Sequence, residues 1–132
     1  MSTWPLEGTT PLISDRYINT FYTGSTPITM GQLLYLTANN TVAPTNAANM
    51  KTIVGFALTT PISGAGQKVS VVTRGIIRAT AYGTINAGDQ ITSASGGSGG
   101  LIQTDNSTLN TTIIGICIQG AASGGTAIIA LW

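Results

Sequence analysis

The fold is decided by the stretch Val69–Ala81, which reads VSVVTRGIIRATA. Its β-branched residues are typical of an extended strand, and it shows no helical period with caps. Period-two alternation predicts that its two arginines lie on one face. The residues of that face are Val72, Arg74, Ile76, Arg78 and Thr80. Two interpretations stay open for this face: a solvated strand surface, or an interface in which guanidinium groups are partly buried.

The regions on either side of this strand contain one pattern twice. Three blocks at residues 28–34, 53–58 and 63–72 line up in order with residues 85–91, 113–118 and 123–132. We therefore predict an internal repeat, with copies at about 26–75 and 83–132 of a single β domain spanning 26–132. A copy of about 50 residues is too short for a good core of its own. The copies are expected to pack together as an all-β protein, either a small β-sandwich or a jelly-roll-like barrel.

Residues 1–25 have no counterpart in this repeat. We expect an arm from Met1 to about Leu12 that docks on a partner, followed by an extra strand from Tyr17 to Thr23. The segment concentrates aromatic and charged residues, and tyrosine and tryptophan commonly anchor protein contacts. Selected residues of this segment and the two arginines above form a candidate interface with a partner or with another subunit. Its members are Trp4, Asp15, Arg16, Tyr17, Tyr22, Arg74 and Arg78.

Composition excludes several classes of protein. The 132 residues carry a net charge of +1, only 7% are charged, and there is no histidine and one cysteine. Such a chain has no basic field for nucleic acid, lacks the ligands of a zinc site, and has no disulfide framework. A monomer with so little charge has little colloidal protection, which favours an assembled state.

The C-terminal window from Ile113 to Leu131 is apolar enough to suggest a membrane helix. A Gly- and Ser-rich break at 120–125 separates two runs of strand length, so a buried β-hairpin is the better interpretation. The chain start also lacks the basic and apolar regions of a secretory signal. We expect no membrane partner.

No catalytic arrangement is recognisable. Without histidine there is no Ser-His-Asp or Cys-His group. Alternation places Lys68 in solvent, opposite Val69 and Val71. Asp89 lies in a turn, where a carboxylate commonly caps backbone groups, and Cys117 lies between isoleucines as a small buried hydrophobe. We expect no enzyme, no cofactor and no metal site.

Several of these segments, in this order and spacing, resemble the capsid cement, or decoration, proteins of tailed bacteriophages. The segments are residues 52–58, 69–79, 85–89 and 113–116, with a last strand running to the C-terminus. The resemblance implies a small all-β protein that binds the outside of the expanded head across major capsid protein subunits and stabilises it against internal DNA pressure. It implies the major capsid protein and further copies of the chain as partners, a homotrimer first and a dimer second. Such a protein is made in the host cytoplasm and resides on the outer surface of the virion.

One alternative is a carbohydrate- or receptor-binding β module of a viral fibre or spike. That function needs an exposed cluster of aromatic residues with Asp or Asn. The aromatic candidates, Tyr35, Tyr82 and the two tryptophans, are scattered in the sequence.

Overall fold

The computed structural model describes residues 12–95, 99–105 and 113–131, and for residues 12–16 it describes the backbone alone. These residues form nine strands and no helix, so the predicted all-β class is confirmed. The strands are β1 (Leu12–Thr23), β2 (Leu33–Ala38), β3 (Thr41–Pro44), β4 (Ile53–Ala57), β5 (Lys68–Thr80), β6 (Gln90–Ser93), β7 (Ile102–Thr104), β8 (Gly115–Gln119) and β9 (Thr126–Leu131).

The strands make one continuous sheet that closes on itself twice. Its order is β1-β3-β2-β4-β5-β9-β8-β6-β7, with a further pairing between β1 and β5. That pairing closes a first ring from β1, β3, β2, β4 and β5. A parallel bridge between Ala81 and Ile102 closes a second ring from β5, β9, β8, β6 and β7. The two rings share β5, and of the two arrangements expected, these closures correspond to a barrel.

The long strand β5 is irregular where it passes from one ring to the other. Along β1, Tyr17 pairs with Arg74 while the next residue, Ile18, pairs with Val72, so Thr73 is skipped. Such a register shift reverses which face a side chain occupies. Val72 is fully buried in the same hydrophobic cluster as Ile77. The prediction that Val72 lies on the face of the two arginines is therefore wrong.

The two rings repeat one another's core positions. The first ring encloses a hydrophobic cluster, and each of its buried members has a counterpart in the larger cluster 57 to 60 residues later. The pairs are Ile28 with Ile85, Leu34 with Ile91, Val42 with Ile102, Ala57 with Cys117, Val69 with Ala127, and Val71 with Ile129. The last two pairs are 58 residues apart, so the alignment of residues 63–72 with 123–132, which implies a spacing of 60, is wrong by two residues. The two rings thus match in the positions and strand pairing of their core residues. That the two halves descend from one duplicated sequence stays a prediction.

The strand β1 also has a positional counterpart, in the second half of β5. Thr23 N donates to Gln67 O at 2.8 Å, and Ala81 N donates to Gly125 O at 2.9 Å. In return, Gly66 N donates to Thr23 O, and Gly124 N donates to Ala81 O. Sequence comparison placed residues 1–25 outside the repeat, because these two strands share little sequence beyond an arginine, at 16 and 74, and an isoleucine, at 18 and 76.

The C-terminal run is the predicted hairpin, with β8 antiparallel to β9 and a turn between them. Among the described residues, no helix is long and apolar enough to cross a membrane.

Candidate functional site

The residues expected to form an interface lie in different places. Trp4 and the arm from Met1 to about Leu12 fall outside the described residues, apart from Leu12 itself. Asp15 and Arg16 lie in β1, where Asp15 pairs with Gly75. Tyr17 and Tyr22 are exposed on the same strand.

The exposed part of β1 forms the first candidate surface, which we call the β1 surface and define as residues 17–20 and 22. Tyr17, Ile18, Asn19 and Thr20 are four consecutive exposed residues. A strand with one face on a core alternates between buried and exposed side chains, so this run is open on both faces. Tyr17 is 56% exposed, Ile18 46% and Tyr22 38%, whereas Phe21 packs against the core of the first ring.

Side chains of β5 hold one end of this surface in place. The Arg74 guanidinium carbon lies 6.0 Å from the centroid of the Tyr17 ring, within range of a cation–π contact. Asn19 Nδ2 donates to Thr73 Oγ1 at 3.1 Å, and that hydroxyl donates to Tyr17 O at 3.3 Å. The structure thus brings together Tyr17 and Arg74, two predicted residues whose proximity the sequence did not indicate.

The second candidate surface is a cleft of about 930 Å³ lined by residues of both rings. Arg78, which is partly buried, lines it together with Tyr35 and Gln32. Arg78 is the one charged side chain among the described residues of the lining, which otherwise combines threonines and the amides Gln32 and Asn46 with apolar residues. Arg78 therefore belongs to a different surface from Arg74, which is exposed beside Tyr17.

A backbone contact between the rings forms part of this cleft, and sequence reasoning missed it. The composition of the Gly-rich tract at 95–100 indicates a flexible loop tip, and residues 96–98 lie outside the described part of the chain. Gly100 N donates to Thr45 O at 2.8 Å, and Leu33 N donates to Gly100 O at 2.8 Å. Gly100 has a φ of +72°, and a Cβ there would overlap Gln32, so the contact requires glycine. Composition alone does not distinguish such glycines from those of a solvated loop.

The cleft wall also contains a buried hydroxyl. Thr45 is fully buried and lines the cleft, and its Oγ1 has no hydrogen-bond partner among the described residues.

The remaining candidates have structural roles. Asp89 Oδ2 accepts hydrogen bonds from Asn86 N and Thr104 Oγ1, both at 2.9 Å, which confirms the predicted turn. Cys117 is buried, as predicted. Burial raises the pKa of its thiol, and the negative charge of Asp89 raises that pKa further. Across the described residues, no group of three or more His, Cys, Asp or Glu could hold a metal ion.

Comparisons with known proteins found one matching protein family and a solved structure with a similar fold. The family model of the XM1 gp53 minor capsid protein matches residues 6–132. Among solved structures, the head fiber gp8.5 N base of bacteriophage phi29 superimposes with a TM-score of 0.64 at 14% sequence identity, covering 88% of this chain and 93% of the other. At that identity the likeness concerns the fold. No curated protein matches the chain.

Proposed function

The chain belongs to the XM1 gp53 minor capsid protein family, and from this premise we propose that it is a non-enzymatic cement protein of the phage head. Membership of a minor capsid protein family supports a structural role on the head. The finer proposal is that the protein binds the outside of the expanded head across major capsid protein subunits and stabilises it against the pressure of packaged DNA.

The observation that carries the finer proposal is the position of the cleft relative to the chain start. Leu12, the first described residue, pairs with Ile77, the neighbour of Arg78 in the cleft wall. The described part of the chain therefore begins next to a residue of the cleft wall. We assign Trp4 of the arm and Arg78 of the cleft to the surface that faces the head. A partly buried arginine in a polar cleft favours a contact with an acidic group of the partner.

Stabilisation would act by linkage. A protein that binds the expanded lattice, and not the unexpanded one or free subunits, adds its binding free energy to the stability of that lattice. The contribution of each copy is small, about 2.7 kcal/mol when free protein is at roughly 100 times its Kd. Many copies on one head would oppose rupture together.

Pelleting with heads that lack the protein tests this proposal. The full chain should pellet with expanded heads and stay in the supernatant with unexpanded ones. Deletion of residues 2–11 should weaken head binding, as should Arg78→Ser. Because Arg78 is partly buried, Thr80→Glu serves as a second variant, adding a negative charge to an exposed position of the cleft lining.

Thr84→Glu is the matched control, since Thr84 is exposed and does not line the cleft. Failure of the full chain to bind expanded heads would overturn the cement proposal. Binding to a glycan array in its place would favour the receptor-binding alternative. Unchanged head binding by the deletion, Arg78→Ser and Thr80→Glu variants would overturn the assignment of the head-facing surface.

A further inference from the structure

The strand β1 has an edge that no strand of the described chain covers along most of its length. On its outer side it pairs with β3 only at Tyr22 and Thr23. Tyr22 N donates to Asn40 O on that side, whereas Thr23 N donates to Gln67 O on the β5 side. Because N–H groups alternate between the two edges of a strand, those of Thr20 and Ile18 point outward like that of Tyr22.

At residues 17–21 this edge lacks the features that keep sheet edges apart. Natural proteins protect an open edge with lysine, proline or inward charges, because unpaired backbone groups otherwise recruit another strand. Residues 17–22 contain neither a charged side chain nor proline. Instead, they expose the large side chains of Tyr17, Ile18 and Tyr22. The edge therefore has the chemistry of a strand-pairing site.

The fold already contains an example of a strand that pairs with an edge of this kind. The second half of β5 is the positional counterpart of β1. There the corresponding edge is covered at residues 74–77 by the start of β1, antiparallel, from Leu12 to Tyr17. An antiparallel strand of the β1 type thus already pairs at the equivalent place in this molecule.

The identity of the partner follows from the closure of the two rings. Within the described residues, the other strands are paired around the rings, so β1 offers the long open edge. Of the strands in the described part of the chain, β1 is therefore the one that a second copy would add there, across a twofold axis. The free protein would carry this apolar edge before it reaches any head, and with 7% charged residues it has little protection against association. A second copy is the partner present at that stage.

We propose that two copies of this chain pair through β1, antiparallel across a twofold axis at residues 17–21, to form a dimer. The dimer supplies a partner for the part of the predicted interface that lies on β1. Only this link to the predicted interface rests on the proposed function. The resemblance to cement proteins implies a homotrimer first and a dimer second, and the open edge of β1 favours the dimer.

Mass measurement of the free full-length protein by light scattering tests the dimer. The wild type should have twice the 13.5 kDa chain mass. Ile18→Lys should place a charge in the paired edge and weaken dimerisation at least about tenfold. Ile118→Lys is the matched control, because Ile118 is 39% exposed on β8, whose two edges are both paired. A monomeric or trimeric wild type, or a folded Ile18→Lys variant that dimerises like the control, would overturn the proposal.

A cysteine scan tests the twofold axis independently of any change in stability. In a Cys117→Ala background, single cysteines at residues 17–20 should include one that lies near the axis and forms a disulfide between copies. Ile118→Cys should form none. Absence of cross-linking at every scanned position would contradict the β1 pairing. Both measurements use protein without heads, so their failure would leave head binding standing, and failure of head binding would leave the dimer standing.

Discussion

Ala57 and Cys117 occupy the same position in the two rings, 60 residues apart. Ala57 N donates to Gln32 O and accepts at its own carbonyl from Gly31 N, and Cys117 makes the same pair of bonds with Asp89 O and Gly88 N. Both side chains are buried. Since one ring places a methyl group where the other places a thiol, the position needs a small apolar side chain and not sulfur chemistry.

Cys117→Ala should therefore fold normally, with a loss of about 1 kcal/mol from the smaller side chain. It should also change the alkaline pH dependence. The thiol pKa is raised in the folded state, so above the unfolded value of 9.0 the unfolded chain loses a proton that the folded chain keeps, and the wild type loses stability as pH rises through that range. Denaturant titrations at successive pH values should show a shallower alkaline decline for Cys117→Ala. Equal slopes for the two proteins would contradict the raised pKa.

Gly55 and Gly115 should both resist substitution by alanine. A Cβ at Gly55 would clash with the carbonyl oxygen of Val72, and one at Gly115 with that of Ala130. These contacts are between adjacent strand backbones, which cannot give way as a flexible side chain can. We expect each alanine variant to lose about 1–3 kcal/mol of unfolding free energy, measured by chemical denaturation.

Gly24→Ala is the control for these variants, because a Cβ at Gly24 would meet only Thr41 Cγ2 at 3.4 Å. It should change stability by no more than about 0.5 kcal/mol. Equal stability of the three alanine variants would contradict the close approach of the strand backbones at Gly55 and Gly115.

Asp89→Ala should destabilise the turn before β6, because Asn86 N and Thr104 Oγ1 both lose their acceptor. The expected loss is about 1 kcal/mol for groups that water can partly solvate. Asp89→Asn keeps one acceptor oxygen and should lose less. Either variant should also lower the pKa of the Cys117 thiol, measured by its rate of alkylation against pH, since the charge of Asp89 contributes to raising it. An unchanged rate profile in both variants would contradict this coupling.

Local patterns in the sequence predicted much of the fold. The β-branched runs indicated the all-β class, the Gly-rich break indicated the β8–β9 hairpin, and the spacing at residues 86–89 indicated the Asp89 turn. The expectation of a phage capsid-associated protein is confirmed by the family match. Each of these features depends on residues close together in the chain or on a pattern that recurs within it.

Long-range features could not be predicted in the same way. Alternation assumes a regular register, so the shift at Thr73 misplaced Val72. The contact of Tyr17 with Arg74 and the contact of Gly100 with Thr45 depend on which strands become neighbours. The closure of both rings on β5 depends on pairings between distant segments, and no spacing in the sequence encodes them.

We propose above that this protein stabilises the filled phage head. That stabilisation can be measured as the temperature at which DNA-filled heads lacking the protein release their DNA, before and after saturation with the purified full-length chain. We expect a higher release temperature for saturated heads, and a smaller increase when the same concentration of added protein lacks residues 2–11. The same release temperature with and without fully bound protein would contradict the claim.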